Sequence, residues 1–324
     1  MRVLIIKLTS MGDLMHAFPA ITDMAARYPN LEIDWVVDEG FAEVPLWHPS
    51  VKRVITTAHR RWKKNLVSCY RKGEFQQFYR TLNADDYDVV VDLQSNLKSA
   101  VVSWLRKDKV HGYDRHTCRE RPAHWAYGQH YHVALRQHAI ERQRELMAKI
   151  LGYVKPETQP DYGIDLHACQ LPDISLPENY VVCVHNASWP TKLWPQECWQ
   201  QLIERVANKG YRVLLPCGNH QEYERAQRIA DTHACAIALP KMSLNQTAAI
   251  IQGAKAAVCS DTGLAHMTAV TNTPSITLYA VTDTVLIGTV GRHQQHIIAD
   301  QQSLTASMQD ILVDDVWQKL QPLL

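Results

Sequence analysis

The sequence is poor in glycine, with 13 in 324 residues against a typical share of ~7%. It has no G-x-G-x-x-G after a strand pattern and no G-x-x-x-x-G-K-[ST], which excludes the usual dinucleotide-dehydrogenase and P-loop signatures. It also has no H-E-x-x-H. Eight cysteines occur, but no two within four residues, so the knuckles of a structural zinc site are absent. Cys183 and Cys259 lie inside the apolar runs Val181–Val184 and Ala257–Cys259 and read as small buried hydrophobes in a reducing compartment. The pairs His130/His132 and His293/His296 lack a third ligand nearby and read as surface histidines, so no metal is expected. No apolar run approaches a membrane span. The apolar core within Met1–Lys7 is too short for a signal peptide and no small-residue cleavage site follows. The expectation is a cytoplasmic protein, with peripheral membrane contact left open.

Charge of one sign is also lacking overall: the formal net charge is +1. That argues against a nucleic-acid coat. The balance is uneven along the chain, however. Residues 1–160 carry 24 Lys and Arg against 18 Asp and Glu, and residues 161–324 carry 10 against 15. Two halves of opposite sign suggest different partners.

The length suggests two domains at about 150 residues each. Short β-rich runs alternate with helical patterns. Val3–Leu8 reads as a buried parallel strand, followed by a helix over Leu14–Arg27. Ile33–Val37 and Val89–Leu93 read as strands, and Lys98–Leu105 and Gln137–Leu151 as helices. Tyr153–Pro172 breaks the pattern with four Pro or Gly and is the linker candidate. The alternation then restarts. Tyr180–His185, Tyr211–Leu215, Ala256–Ser260 and Ser275–Tyr279 read as strands. Pro195–Asn208, Gln221–Asp231, Leu244–Gly253 and the segment from Leu264 read as helices, and Leu304–Leu324 as a terminal one. The expected architecture is two doubly wound α/β domains, 1–160 and 161–324. The scarce glycines Gly12, Gly218 and Gly263 stand at strand-to-helix turns, where ligands bind in such sheets.

Four turns and one tract could carry chemistry. In Thr9–His16, Asp13 is placed either to take a proton from an acceptor hydroxyl or to cap a helix. In Ser260–His266, Thr262 and Gly263 open a helix whose N–H groups suit a diphosphate. There Asp261 could instead be an N-cap, and His266 a packed helix residue. Lys192, in Asn186–Pro195, stands just before a helix start, where a cation opposes the helix dipole. It is either a phosphate neutraliser or a surface lysine. Glu222 could accept ribose hydroxyls or stabilise a first helical turn. The tract His59–Lys64 suits a phosphate-rich acceptor, an anionic membrane, or simply solvent.

Taken together, Ser10-Met11-Gly12-Asp13, Arg60-Arg61-Trp62, Val110-His111-Gly112, Gln137–Arg142 and Asp261-Thr262-Gly263-Leu264-x-His266 resemble the ADP-heptose:lipopolysaccharide heptosyltransferases over the whole chain. The likeness is to their heptosyltransferase I branch, which adds the first inner-core heptose. The resemblance implies a GT-B fold, with two Rossmann-like domains facing an interdomain cleft. It also implies that the final helix, about 305–324, packs back on the N-terminal domain. It implies an inverting enzyme with no cofactor or metal. The donor would be ADP-L-glycero-β-D-manno-heptose and the acceptor lipid A carrying Kdo. The enzyme would be a monomer on the cytoplasmic face of the inner membrane, without nucleic acid.

By position, the resemblance makes Asp13 the general base and Lys192 the neutraliser of the leaving diphosphate. Asp261, Thr262, Gly263 and His266 would line the donor turn, Glu222 would hold ribose and Met242 adenine. Arg60, Arg61, Lys63 and Lys64, with Lys98 and Arg119, would meet acceptor phosphates and carboxylates. The family's phosphate loop carries two adjacent hydroxyl residues, whereas this chain has Ala187-Ser188. Two other readings stand beside this one. One is heptosyltransferase II or another nucleotide-sugar enzyme on the same fold. The other is a non-catalytic module binding an anionic surface or nucleic acid.

Overall fold

Apolar runs that are buried on both faces dictate parallel sheets covered by helices, and the computed structural model has two of them. It describes residues 1–167, 169–299 and 307–324. The chain divides into two units, Met1–Asp165 and Leu166–Leu324.

In the first unit, β1 (Arg2–Ile6) is followed by α1 (Met11–Met15) and α2 (Phe18–Arg27), then β2 (Glu32–Asp38) and β3 (Val51–Thr57). Three short helices follow: α3 (His59–Lys64), α4 (Leu66–Arg71) and α5 (Glu74–Leu82). The unit continues with β4 (Val89–Asp92), α6 (Leu97–Leu105), β5 (Val110–Tyr113), β6 (Gln129–Tyr131) and α7 (Ala139–Leu151). The strands lie in the order β3-β2-β1-β4-β5-β6, all parallel. Val3, Leu4, Ile5 and Ile6 of β1 are wholly buried, as expected of a central strand.

The second unit begins with β7 (Tyr180–Val184), α8 (Gln196–Ala207), β8 (Arg212–Leu215), α9 (His220–Ala230) and β9 (Ala236–Ala238). It continues with α10 (Leu244–Gly253), β10 (Ala256–Ser260), α11 (Gly263–Val270), β11 (Ser275–Tyr279), α12 (Thr284–Ile287), β12 (Gln294–Ile298) and α13 (Val313–Leu320). Its sheet order is β12-β11-β10-β7-β8-β9. Read from the other edge, this is the first unit's connectivity repeated. In each sheet the winding reverses beside the first strand, between β1 and β4 and between β7 and β10. Those are the points where doubly wound folds bind ligands.

The ends of the two units follow from what each segment is fastened to. The boundary lies past residue 160, because the connecting segment is fastened to the first unit. Arg144, buried on α7, bridges to Asp23 at 2.7 Å and donates to the carbonyls of Pro156 (3.1 Å) and Thr158 (3.0 Å). The Asp165 N–H donates to the Trp47 carbonyl at 2.8 Å. Within the second unit, the terminal helix packs into that unit's core. Val313, Val316 and Leu320 form an i, i+3, i+7 stripe that enters the cluster holding Trp194 and Trp199. The Trp194 indole donates to the Ile311 carbonyl at 3.0 Å, and Tyr211 to that of Leu324 at 2.5 Å. The start of the expected helix, residues 305–306, lies outside the described residues.

Candidate active site

At the carboxyl end of β1 the chain turns into α1, and Asp13 sits in that helix's first turn. Ser10 occupies the N-cap, so Asp13 is its N3 partner and not the cap itself. Asp13 Oδ2 accepts from the Ser10 N–H at 3.1 Å and from the Ser10 hydroxyl at 2.9 Å. The Arg119 guanidinium lies 3.8 Å from the same oxygen. Burial pushes the Asp13 carboxyl up. The Lys7 ammonium, the Ser10 N–H and hydroxyl and the Arg119 guanidinium together outweigh burial, so the carboxyl titrates below its ordinary value. Asp13 is therefore a half-buried, ionised carboxylate whose other oxygen carries no bond among the described residues.

Lys7 is a member of this group that the motif reading passed over. It is buried, its ammonium donates to the Leu93 carbonyl at 3.2 Å, and burial lowers its pKa to about 8 against the pull of Asp13 and Asp92. Gln94 accepts from the N–H groups of Leu8 (2.5 Å) and Thr9 (3.0 Å), tying the β4 exit to the Asp13 turn. Asp92, buried at the end of β4, accepts from Gln94 N–H, Ser95 N–H and the Tyr127 hydroxyl at 2.8–2.9 Å. Burial raises its pKa, and the three donors oppose the rise. The Ser95 hydroxyl in turn accepts from the Arg119 N–H at 3.1 Å. One sequence signal was available for these residues: Lys7 and Asp92 are single charges at the ends of otherwise apolar runs.

The basic tract forms a helix, α3, and its members part company. Arg61 bridges Glu39 at 3.0 Å and Glu74 at 2.6 Å, so it is committed within the protein. Arg60, Lys63 and Lys64 are exposed and form no ion pair among the described residues. Lys98, exposed on the first turn of α6, stands close enough to lower the pKa of His59 at the start of α3, an effect secondary to burial. Lys98 and the tract therefore share one neighbourhood.

In the second unit the residues after β10 gather others. Lys192 Nζ lies 2.5 Å from Asp261 Oδ2, which also accepts from the Thr282 hydroxyl after β11. Thr262, not Asp261, is the N-cap of α11, its hydroxyl accepting from the Leu264 N–H at 3.2 Å. Gly263 is the first helical residue, and His266 lies half-buried one turn on. Asn219 caps α9, and Glu222 in the first turn accepts from the N–H of Gly218 at 2.7 Å and from the Asn219 amide at 2.8 Å. The Asn186 amide, from the β7 exit, donates to Glu222 at 3.4 Å. Ala187 is half-buried and Ser188 exposed on that same exit, while Met242 is half-buried just before α10. Thus Lys192, Asp261 and Thr262 are brought together, and Glu222 organises the neighbouring β8 turn. Thr282 carried no sequence signal, since only tertiary folding sets it beside Asp261.

Among the described residues no group of three or more His, Cys, Asp or Glu is placed to hold a metal ion. Three of the four histidines in the two pairs have other partners: His132 with Asp114 at 2.9 Å, His130 with the His124 carbonyl at 2.9 Å, and His296 with Thr289 at 2.9 Å.

Comparison with known proteins places this geometry. The model of glycosyltransferase family 9 (heptosyltransferase) matches residues 75–313. Lipopolysaccharide heptosyltransferase 1 of Escherichia coli K12 is 45% identical over 94% of this chain and 95% of its own length. That of Pseudomonas aeruginosa is 44% identical over 93% and 84%. Among solved structures, E. coli heptosyltransferase WaaC with ADP superposes with a TM-score of 0.92 at 42% identity, covering all of both chains. WaaC with ADP-2-deoxy-2-fluoro heptose superposes at 0.88 and 42% identity over 99% of both chains. The chain belongs to glycosyltransferase family 9, the heptosyltransferases, and is a glycosyltransferase of the GT-B fold.

Proposed function

We propose that this enzyme transfers L-glycero-D-manno-heptose, with inversion, from ADP-heptose to the Kdo region of lipid A. The observation that carries the reading is the Asp13 carboxylate, held ionised at the β1 exit by Lys7, Ser10 and Arg119. It is supported by likeness to proteins named lipopolysaccharide heptosyltransferase 1 over nearly the whole chain, one of them described with ADP and with a fluorinated ADP-heptose.

In this mechanism Asp13 takes the proton from the acceptor hydroxyl as its oxygen attacks the anomeric carbon. The bond to the diphosphate breaks on the opposite face, and ADP leaves with growing negative charge. Lys192 and the N–H groups at the Thr262-Gly263 turn meet that charge, so the leaving group needs no metal. Glu222 binds the ribose, Met242 lies against adenine, and Ala187-Ser188, Asp261 and His266 complete the donor side. Arg60, Lys63, Lys64, Lys98 and Arg119 meet the acceptor's phosphates and carboxylates, and Arg61 holds α3, which carries the first three, in place. The work is done on the cytoplasmic face of the inner membrane.

The deciding experiment is a transfer assay with ADP-heptose and heptose-free lipopolysaccharide, following ADP release and the mass of the acceptor. Stoichiometric release and a one-heptose mass gain are expected. A preference for acceptor that already carries one heptose, or ADP release without a mass gain, overturns the reading.

A further inference from the structure

The α4 helix takes no part in the chemistry above, yet its surface is unusual for a helix facing water. Leu66, Val67 and Tyr70 are spaced i, i+1, i+4 and so share one face. They are 62%, 65% and 65% exposed. Cys69, flanking that face beside Leu66, is buried. The fold anchors the α3–α4 segment through different residues. Trp62 packs on Phe75 and Phe78 and donates to Glu74 at 2.9 Å, while Arg61 bridges Glu39 and Glu74. These anchors leave the outer residues unused.

Those outer residues combine aliphatic, aromatic and cationic groups. Arg60, Lys63, Lys64, Arg71 and Lys72 are exposed and make no ion pair among the described residues. No Asp or Glu occurs in residues 58–73. Uncompensated positive charge around an apolar face selects an anionic partner with an apolar layer beneath its charges. A phospholipid surface grades these by depth: phosphates attract the cations, a tyrosine sits at headgroup level, and leucine and valine reach the acyl boundary. A six-residue helix is far too short to cross, so it can only lie in the interface.

We propose that the outer face of α3–α4 docks this enzyme on an anionic phospholipid bilayer, with Leu66, Val67 and Tyr70 inserted at the headgroup boundary. The inference extends the proposed function, because α3 then offers its cations to an acceptor anchored in the same surface. Its test does not depend on turnover.

The test is flotation of the full chain with vesicles of phosphatidylethanolamine and phosphatidylglycerol, free of lipopolysaccharide, against pure phosphatidylcholine vesicles. Binding to the anionic vesicles alone is expected, weakening as salt is raised. The variant Leu66→Ser/Val67→Ser/Tyr70→Ser should lose roughly tenfold or more in vesicle partition, with its melting temperature kept because the three side chains are exposed. Arg71→Glu/Lys72→Glu should abolish the preference for anionic vesicles. Both variants should retain the turnover of the parent on a water-soluble acceptor lacking its acyl chains and lose it on acceptor embedded in vesicles. The proposal is overturned if the parent chain ignores anionic vesicles or if the triple variant binds them as well as the parent. It is also overturned if light scattering shows a dimer that the triple variant dissolves, since the face would then bind a second copy. Absence of transfer activity with intact vesicle binding would sink the proposed function and leave this docking surface standing.

Discussion

Lys192 and Asp261 form an ion pair at 2.5 Å across 69 residues of sequence, with the Thr282 hydroxyl on the same carboxylate oxygen. The cation assigned to the leaving diphosphate is thus already met by a carboxylate before any donor arrives. Both partners are mostly buried, so the pair is poorly screened and either group left alone is costly. In the proposed mechanism, a diphosphate entering here takes over a lysine that the carboxylate has positioned.

Replacing Lys192 by Ala removes that charge from the departing ADP. Turnover should fall roughly 10²–10³-fold, the range for losing one electrostatic stabiliser of a transition state. ADP affinity, read by calorimetry, should weaken as well. Asp261→Asn keeps a partner for Thr282 and frees the lysine, so ADP affinity should hold or rise. A large loss of ADP affinity in Asp261→Asn would make the carboxylate itself a nucleotide contact.

The proposed mechanism adds a second, separable job to the capping role of Asp13, because the capping box needs an acceptor oxygen and catalysis needs a base. Asp13→Asn retains an oxygen for the Ser10 N–H and should preserve the folding stability to within about the 1 kcal/mol that a lost cap costs. It cannot take a proton, so turnover should drop roughly 10²–10⁴-fold with ADP binding unchanged. Near-normal turnover in Asp13→Asn would remove Asp13 from the role of base.

The Lys7–Asp13 arrangement fixes the sign of a pH effect. Asp13 titrates below the usual carboxylate range, so its ionised form, and the stability that comes with it, persists into acid and is lost only as pH falls through that lowered value. Lys7→Met removes the first of the groups that oppose burial, so the acid limb of kcat/KM should move to higher pH. Above about 8 the parent's own Lys7 becomes neutral, and the two profiles should converge there. An acid limb that stays in place would mean that Arg119 and Ser10 alone hold the carboxylate ionised.

The sequence spelled out some of this structure and concealed the rest for physical reasons. Strands buried on both faces are unbroken apolar runs, and β1, β10 and β11 were legible as such. β3 was not, because Lys52 and Arg53 interrupt Val51–Thr57. In the fold Arg53 is satisfied by Asp34 at 2.6 Å and Asp85 at 2.5 Å. β6 and β9 have three residues each, too few to show a period. β12 opens on Gln-Gln-His and reads as polar. The site divides the same way. Asp13, Glu222 and Thr262 lie in turns that local pattern marks. The Lys192–Asp261–Thr282 contact joins three distant segments, and the capping roles of Ser10 and Thr262 depend on where each helix starts, which neighbouring polar residues leave ambiguous.

Arg60 and Arg61 are adjacent in sequence and identical in chemistry, but the fold gives them different work. Arg61 is held by Glu39 and Glu74, and Glu74 also accepts from the Trp62 indole. Its pairing with the carboxylates of Glu39 and Glu74 raises its pKa. Arg60 is exposed and forms no ion pair among the described residues. Arg60→Ala should therefore raise the acceptor KM while leaving kcat, ADP affinity and the melting temperature alone, since only a contact made by bound acceptor is lost. Arg61→Ala instead releases two carboxylates beside the acceptor's own anions. It should raise KM further, lower kcat because α3 is no longer fixed, and make KM more sensitive to salt. Glu74→Gln separates the two effects. It keeps an acceptor for Trp62 and weakens the hold on Arg61, so it should reproduce part of the Arg61→Ala defect in kcat. If Arg60→Ala and Arg61→Ala proved indistinguishable in KM and kcat, the Arg61 ion pairs would have no part in positioning the tract, and all of its cations would act on the acceptor as equals.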